Sequence, residues 1–249
     1  MKPKSAAEAD EAAEQAGFRR GYYGLLVRAF SAEPRDELLT GLKSGLHERI
    51  AASDALQPRL AEGWRQVEGA LAGLTAEQAA ETYTRLFIGP FHVQVQLYES
   101  YYLSGTLLGE PLLEVRQSLR KIGLEPAGKS PEPEDWLPFE LDVMNWLIGK
   151  QTEARGPAAE RRIADQVAFL REHLLVWAPE CAQDMERADP DGFYGGMGKV
   201  LQGFLELERE FLAPHGLEQG ETLEQARARY QRRKAWKGPS FDPSPPAAE

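Results

Sequence analysis

The chain has 249 residues, of which 42% are hydrophobic, so it is long enough to bury the core of one large domain without disulfide bonds. Its 39 acidic and 29 basic residues give a formal net charge of −10, which repels phosphate backbones and excludes nucleic acid as an expected ligand. The single cysteine, Cys181, excludes an internal disulfide framework, and the 4 histidines lack the spacing of a metal site. We therefore expect no metal and no cofactor.

Acidic side chains occupy the N-terminal positions where a secretory signal peptide would need an apolar core: Glu8, Asp10, Glu11 and Glu14. No segment approaches the apolar length of a membrane span. Together these features predict a cytoplasmic protein without stable membrane insertion.

Apolar residues recur every three or four positions along most of the N-terminal part, a period typical of amphipathic helices. Thr75 and Gln78 have the spacing of a capping box, which predicts that a helix begins there. Between residues 92 and 98 the pattern alternates, but no partner strand is visible, so we expect an ordered loop. The helices predicted here are 6–30, 36–51, 56–71, one beginning at Thr75, and 100–122 with an interruption at 109–111.

Glycine and proline are concentrated in residues 123–133, which we interpret as a hinge-like loop. It separates an N-terminal helical half, residues 1–122, from a C-terminal helical half, residues 134–236. Such a hinge would let two copies exchange halves, so a homodimer is one predicted assembly. The composition of 237–249 is typical of a disordered tail. The helices predicted in the C-terminal half are 136–148, 157–177, 190–213 and 221–234.

The fold class that follows is all-α, because no convincing strand pair is present. We expect a globular array of nine or ten helices in one structural domain, without significant sheet. The helix at 136–148 is apolar on most sides, which predicts that it lies in the centre of the array.

Residues 123–130, "GLEPAGKS", match the phosphate-binding pattern G-x-x-x-x-G-K-[ST]. A functional loop of this kind follows a buried strand and leads into a helix whose amide groups face the phosphates. Here a helical pattern precedes the motif, and Pro131 and Pro133 follow it, which favours a plain connecting loop. A nucleotide-binding or hydrolysing helical protein that uses this loop is the alternative function, and nucleotide titration with a Lys129→Ala control would detect it.

No catalytic signature is present. Neither Ser104 nor Cys181 lies in the motif of a catalytic nucleophile, and no histidine has the Glu-x-x-His spacing of a di-iron site. His173 lies on an apolar helix face, where a histidine that bridges helices by a hydrogen bond is more common than a catalytic base. We expect no enzyme activity. The C-terminal cations are expected to pair with acids elsewhere, and they are Arg227, Arg229, Arg232, Arg233, Lys234 and Lys237.

Two regions combine aromatic with acidic residues. The first contains "YTRLFIGP" at 83–90 and "LYESYY" at 97–102, and the second is "EPEDW" at 132–136. If the two regions meet in space, they form an apolar groove rimmed by carboxylates. Such a groove suits a peptide with arginines beside an apolar stretch, because guanidinium pairs bidentately with carboxylate while the apolar part docks on the rings.

The same residues carry a resemblance to a known family. Its markers are "YTRLFIGP" followed by Tyr98-Glu99-Ser100, "EPEDWLPFELDVM" from Glu132, and "FLREHLLVWAPE" from Phe169. Through them the sequence resembles the TorD/DmsD/NarJ-like family of cytoplasmic chaperones, also called redox enzyme maturation proteins. The likeness spans about 83–212. It departs from the family pattern at Trp136, where His is usual, and at Leu97, where Pro often stands.

This resemblance implies an all-helical chaperone that binds the twin-arginine signal peptide of a molybdopterin-dependent oxidoreductase and holds back export until the cofactor is inserted. Its partners would be that peptide and the catalytic subunit of the oxidoreductase. A structural module that binds some other basic helix is a third hypothesis. The candidate peptide-binding residues are Tyr83, Leu86, Phe87, Leu97, Tyr98, Glu99, Ser100, Glu132, Glu134, Asp135 and Trp136.

Overall fold

The computed structural model describes residues 6–89, 92–125 and 131–235. Within these ranges the chain is helical without a β-strand, and its one isolated antiparallel bridge pairs Tyr98 with Trp136. No helix in the described part is both long enough and apolar enough to cross a bilayer. The all-α fold class is confirmed, and residues 92–98 form the expected loop.

Twelve α-helices lie in the described residues, more than the nine or ten predicted. A π-helical turn at Leu170–Leu174 joins two of them into one continuous rod, and a second π-helical turn, Thr84–Ile88, extends another. The α-helices are α1 (Ala6–Phe30), α2 (Asp36–Lys43), α3 (Leu46–Leu56), α4 (Pro58–Leu71), α5 (Ala76–Tyr83), α6 (Glu99–Ser104), α7 (Glu110–Ile122), α8 (Leu137–Glu153), α9 (Pro157–Phe169), α10 (Leu175–Ala188), α11 (Phe193–Leu212) and α12 (Leu223–Ala235).

Several helix boundaries differ from the prediction, and two of the differences have a clear local cause. The helix expected at 36–51 is divided into α2 and α3, because Gly45 adopts a left-handed φ of 72° that a helix interior does not allow. The next helix begins at Pro58, two residues later than predicted, since proline fits the first turn and Gln57 caps it by accepting a hydrogen bond from the Leu60 amide. At the start of α5, Thr75 forms the predicted capping box.

The core crosses the proposed boundary between the two halves. From the N-terminal half, α1 packs against α8 and α4 packs against α11. The ring of Tyr22 on α1 stacks on Phe204 of α11, with centroids 5.0 Å apart, and its hydroxyl accepts a hydrogen bond from Trp64 Nε1. The division at 123–133 stays a prediction, and residues 126–130 of that loop lie outside the described part of the chain.

A buried ion pair fixes α1 on α11. Arg19 donates from Nε and Nη2 to the two carboxylate oxygens of Glu208 at 2.6 and 2.7 Å, and the Tyr23 hydroxyl donates to the same carboxylate at 2.8 Å. Glu208 is fully buried, so its charge depends on these donors. Losing Arg19 would leave the Glu208 carboxylate in the core without a cationic partner.

Close contact between α4 and α11 depends on glycine. A Cβ atom at Gly63 would lie 2.6 Å from the Val200 amide nitrogen on α11, so no larger side chain fits. By contrast, Gly69 on the same helix has nothing within 4 Å of that position. The two glycines therefore separate the effect of packing from the effect of helix propensity.

We predict that Gly63→Ala lowers the free energy of unfolding by about 1–3 kcal/mol, because the added methyl group overpacks the α4–α11 contact. The matched change Gly69→Ala should raise it by about 0.5–1 kcal/mol, because alanine is the better helix former. Urea unfolding followed by circular dichroism measures both values. Equal effects of the two substitutions would contradict the packing assignment.

Candidate functional site

The two regions predicted to meet are joined by backbone hydrogen bonds. The Leu137 amide donates to the Leu97 carbonyl at 2.8 Å, and the Glu99 amide donates to the Asp135 carbonyl at 2.9 Å. These bonds flank the antiparallel bridge and connect the first residues of α6 and α8. We call this pairing of residues 97–99 with 135–137 the clamp. It brings the acidic region, residues 132–136, into direct contact with the aromatic segment 97–102.

The π-helical turn Thr84–Ile88 holds the loop that leads into the clamp. The carbonyl of Leu86 accepts hydrogen bonds from the amides of Gln94 and Val95 at 3.0 and 2.9 Å. Gly89 ends the turn with a φ of 51°, and a Cβ atom there would collide with the His92 carbonyl. Within the "LFIG" part of the motif, Leu86 therefore anchors the following loop through its carbonyl, and Gly89 is required by the backbone at the end of the turn.

The aromatic residues of the segment 83–90 pack mainly in the hydrophobic core. Phe87 packs edge-on against Tyr83 and Tyr194, with ring centroids 5.1 and 5.0 Å apart, and the hydroxyl of the buried Tyr83 donates to the Phe30 carbonyl. Burial raises the pKa of Tyr83 to about 12, and the nearby carboxylates of Glu132 and Glu33 add to the shift. Tyr83 therefore lies close to the acidic region, while only the half-buried Phe87 offers ring surface to a ligand.

The predicted acids have different environments. Asp135 is fully buried, and its Oδ2 accepts a hydrogen bond from the Ser100 amide at 3.0 Å. Glu134 is nearly buried and accepts from Arg116 Nε at 2.8 Å. Glu132 is half-buried and accepts from the Tyr98 hydroxyl at 2.6 Å. Of the three, Glu132 is the acid that an incoming cation reaches most directly.

Solvent exposure divides the candidate residues into two groups. The partly exposed members are Phe87, Tyr98, Glu132 and Trp136. The buried members are Tyr83, Leu86, Leu97, Glu99, Ser100, Glu134 and Asp135. A peptide-binding role for each residue stays a prediction, but in this structure the first group is available for contact and the second group supports it.

A buried polar network lies beneath the clamp. Nδ1 of His173 is 3.2 and 3.1 Å from the two carboxylate oxygens of Glu99, which confirms the prediction that this histidine bridges helices. The carboxyl groups of Glu99 and Glu140 lie close enough to shift each other's pKa, and Glu140 accepts a hydrogen bond from Trp177 Nε1 at 3.1 Å. The network connects α6, α8 and the rod formed by α9 and α10.

Burial sets the protonation of this network. It raises the pKa of Glu140 and of Glu99 well above the ordinary range, and the neighbouring carboxyl group of Glu99 raises that of Glu140 further. Burial also lowers the pKa of His173, which favours the neutral ring. A proton shared by two carboxyl groups avoids placing two negative charges together in the core.

Sequence reasoning missed Glu140, although a signal was present. It is an acid inside the apolar helix at 136–148, where a charged side chain has no polar face to occupy. It also missed a cleft of about 680 Å³ beside the π-helical turn, whose lining includes Glu33, Glu77, Glu81 and Arg85. Glu77 and Glu81 lie one turn apart on α5, but Glu33 follows α1 and is too distant in sequence to be associated with them by spacing.

Other predicted features can be located as well. α7, a helix, precedes the "GLEPAGKS" loop where a phosphate-binding loop needs a strand, while residues 126–130 lie outside the described part. Two of the C-terminal cations pair with an acid as predicted, because Arg229 and Arg233 both bind Glu114, whereas Arg227 and Lys234 donate to the backbone carbonyls of Tyr102 and Ser104. Lys237 and the tail 237–249 lie outside the described residues. In the described ranges no His, Cys, Asp and Glu group of three or more is arranged to hold a metal ion.

We predict that the buried carboxyl pair makes the protein less stable as the pH rises. A folded-state pKa above the unfolded value means that the folded protein retains a proton that the unfolded chain releases above about pH 4.5, so this contribution is complete below that pH and is lost towards the folded pKa. Glu140→Gln should flatten the decline of unfolding free energy between pH 5 and 8, by at most about 1.4 kcal/mol per pH unit.

Urea titrations at a series of pH values measure this slope. Glu210→Gln, at an exposed position of α11, makes the same change in composition and should leave the slope as in the native protein. Parallel pH profiles for Glu140→Gln and the native protein would contradict the shared-proton assignment.

Comparisons with known proteins agree with the motifs. The family model described as nitrate reductase delta subunit matches residues 53–183. Chaperone protein TorD of Aeromonas salmonicida is 31% identical over 205 residues, covering 78% of this chain and 91% of the relative. Chaperone protein TorD of Vibrio vulnificus is 30% identical over 199 residues, covering 77% and 83%.

A solved structure of an Archaeoglobus fulgidus protein, assigned as a redox enzyme maturation protein, gives a TM-score of 0.49 at 21% identity and covers 76% of this chain and 93% of that chain. The family assignment does not depend on it, because the family model spans more than half of the chain and the Aeromonas relative aligns with most of it. The chain belongs to the nitrate reductase delta subunit family, the TorD/DmsD/NarJ-like group that its motifs resemble.

Proposed function

We propose that the protein is a chaperone for the maturation of a molybdopterin-dependent oxidoreductase, and that it binds the twin-arginine signal peptide of the catalytic subunit. Binding would hold back export until the cofactor is inserted. Membership of the family supports the chaperone role, since its curated relatives are named chaperones. The role is one of binding, not of catalysis, and it would be carried out in the cytoplasm, where the client is assembled.

The observation that carries the proposal is the contact between Tyr98 and Glu132. It places an accessible carboxylate against an aromatic ring, and Trp136 lies beside it across the clamp. An arginine of the leader would pair with the Glu132 carboxylate, while apolar residues that follow would pack on Tyr98, Trp136 and Phe87. The two halves of the leader then meet complementary surfaces, one charged and one apolar.

A second carboxylate at the site already binds a guanidinium group. Glu134 is held by Arg116, whose side chain is partly exposed, in the charge-assisted contact that a leader arginine would make. A leader arginine could replace Arg116 there without leaving the carboxylate unpaired. Because Glu33 and Glu132 both act on the pKa of Tyr83, the negative charge continues from the clamp towards the acidic cleft.

The buried candidate residues Asp135 and Glu99 hold the exposed ones in position. Asp135 fixes the start of α6 by binding the Ser100 amide, and Glu99 is anchored by His173. These contacts fix Glu99 and Ser100, the two residues that follow Tyr98, and so keep Tyr98 in position. Such residues affect peptide affinity indirectly, by keeping the exposed residues in place.

We predict that Glu132→Gln weakens binding of a synthetic peptide with two adjacent arginines and an apolar stretch by about 2 kcal/mol, because a partly desolvated arginine loses its carboxylate partner. Isothermal titration calorimetry measures the affinity. Glu210→Gln, which removes the same charge from an exposed position on α11, should bind as the native protein does. Unchanged affinity in Glu132→Gln would contradict the assigned role.

Asp135→Asn distinguishes a positioning residue from a contact residue. This substitution weakens the bond to the Ser100 amide, so it should lower the free energy of unfolding by about 1–3 kcal/mol as well as the peptide affinity. Glu132→Gln should change affinity with little change in stability. If Asp135→Asn reduced affinity while stability stayed the same, direct contact with the peptide would replace the positioning role.

The identity of the client and the oligomeric state are separate parts of the proposal. Affinity capture of the tagged protein from cells, followed by identification of bound subunits, should recover an oxidoreductase catalytic subunit that still carries its leader. Exchange of halves through the loop 123–133 stays a prediction, which light scattering of the purified protein tests.

A further inference from the structure

An exposed apolar surface lies on the other end of α6. Tyr101, Leu107, Leu108 and Leu113 are 41%, 51%, 50% and 51% exposed, and they come from α6, the following turn and α7. We call these four residues the leucine patch. Large apolar side chains grouped in this way on a monomer mark an interaction surface.

Hydrogen bonds hold the turn of the leucine patch in an unfavourable conformation. Leu108 has a φ of 66° and is the one non-glycine residue with positive φ in the described part of the chain. Its amide donates to Ser100 Oγ at 2.9 Å, and Ser104 Oγ donates to the Thr106 carbonyl at 3.1 Å. A leucine is strained in this region of φ, so the surrounding structure keeps its side chain at the surface against a cost in free energy.

Side chains from the last helical turn of α12 bind both ends of the segment 104–110, which contains Leu107 and Leu108. Lys234 Nζ donates to the Ser104 carbonyl at 3.1 Å, and Arg233 Nη1 donates to Glu110 Oε1 at 2.6 Å. Leu107 and Leu108 lie between Ser104 and Glu110 in the chain. The C-terminal end of α12 therefore lies next to the leucine patch.

The sequence after α12 suits this surface. Trp236 and Phe241 are its aromatic residues, and prolines stand at 239, 243, 245 and 246. At no more than about 3.6 Å per residue, the Cα atom of Phe241 is within about 25 Å of that of Lys234. Proline restricts the unbound chain, which lowers the entropy cost of docking in an extended form.

We propose that residues 236–249 dock on the leucine patch of the same molecule through Trp236 and Phe241 and cover it. A segment of this composition cannot build a core of its own, but it gains apolar contact from a preformed surface. The inference does not depend on the proposed function, because it concerns a different surface and an intramolecular partner.

A spin label in the segment tests the proposal in the full chain. Ser240→Cys provides one reactive thiol, because Cys181 is fully buried and burial raises the pKa of its thiol. With methyl-labelled leucine, the signals of Leu107, Leu108 and Leu113 should broaden several-fold more than that of Leu56, which is 46% exposed on α3. Equal broadening at all four leucines, or none, would overturn the proposal.

Two further samples distinguish docking from mere attachment and from contact between copies. Combining Trp236→Ser and Phe241→Ser with the label should reduce the broadening at the leucine patch several-fold, and an unchanged effect would show that tethering alone explains it. Mixing spin-labelled chains with methyl-labelled chains that lack the label should give no broadening. Broadening in the mixture would overturn the intramolecular assignment in favour of a second copy.

Discussion

The candidate site depends on the pairing of residues 97–99 with 135–137. Extended backbone directs successive side chains to opposite sides, so this short pairing decides which residues face the core and which face a ligand. Tyr98 and Trp136 lie on the accessible side, opposite each other. The side chains directed inward are those of Leu97, Glu99, Asp135 and Leu137. The family motif therefore contains residues of two kinds, and the alternation of the backbone separates them.

The clamp is supported by polar groups where an apolar core would be the simpler solution. Glu99, Glu140 and His173 are buried together beneath it. Their desolvation is offset in part by the hydrogen bonds Glu99–His173 and Glu140–Trp177, and burial raises the pKa of both carboxyl groups, which favours their neutral form. Unlike apolar contacts, these bonds have a defined direction, so they fix the position of α6 against α8. The consequence for binding is preorganisation, because the clamp then pays little additional ordering entropy when a peptide arrives.

Much of the fold could be predicted from helical periodicity. The motifs identified the segments 97–102 and 132–136, which are in contact in the structure. The split between α2 and α3 was missed because Gly45 alone breaks an otherwise continuous pattern. The exposure of the site could not be predicted, since a pairing of three residues is too short to give a recognisable strand pattern. Glu140 was overlooked for a different reason: the meaning of a buried acid depends on partners from distant helices, which spacing in the sequence does not reveal.

Ser100 connects the clamp to the leucine patch. Its amide donates to Asp135 Oδ2, and its hydroxyl oxygen accepts from the amide of Leu108, the residue with the strained backbone. Any rearrangement that relaxes Leu108 must break or move a bond at Ser100, one residue from the Glu99 anchor. A ligand shifts such an equilibrium only by its difference in affinity for the two arrangements. Because α6 has just six residues, Glu99–Ser104, fewer than two helical turns separate the two surfaces, and a displacement of Leu108 would act on the clamp through the hydrogen bonds of Ser100.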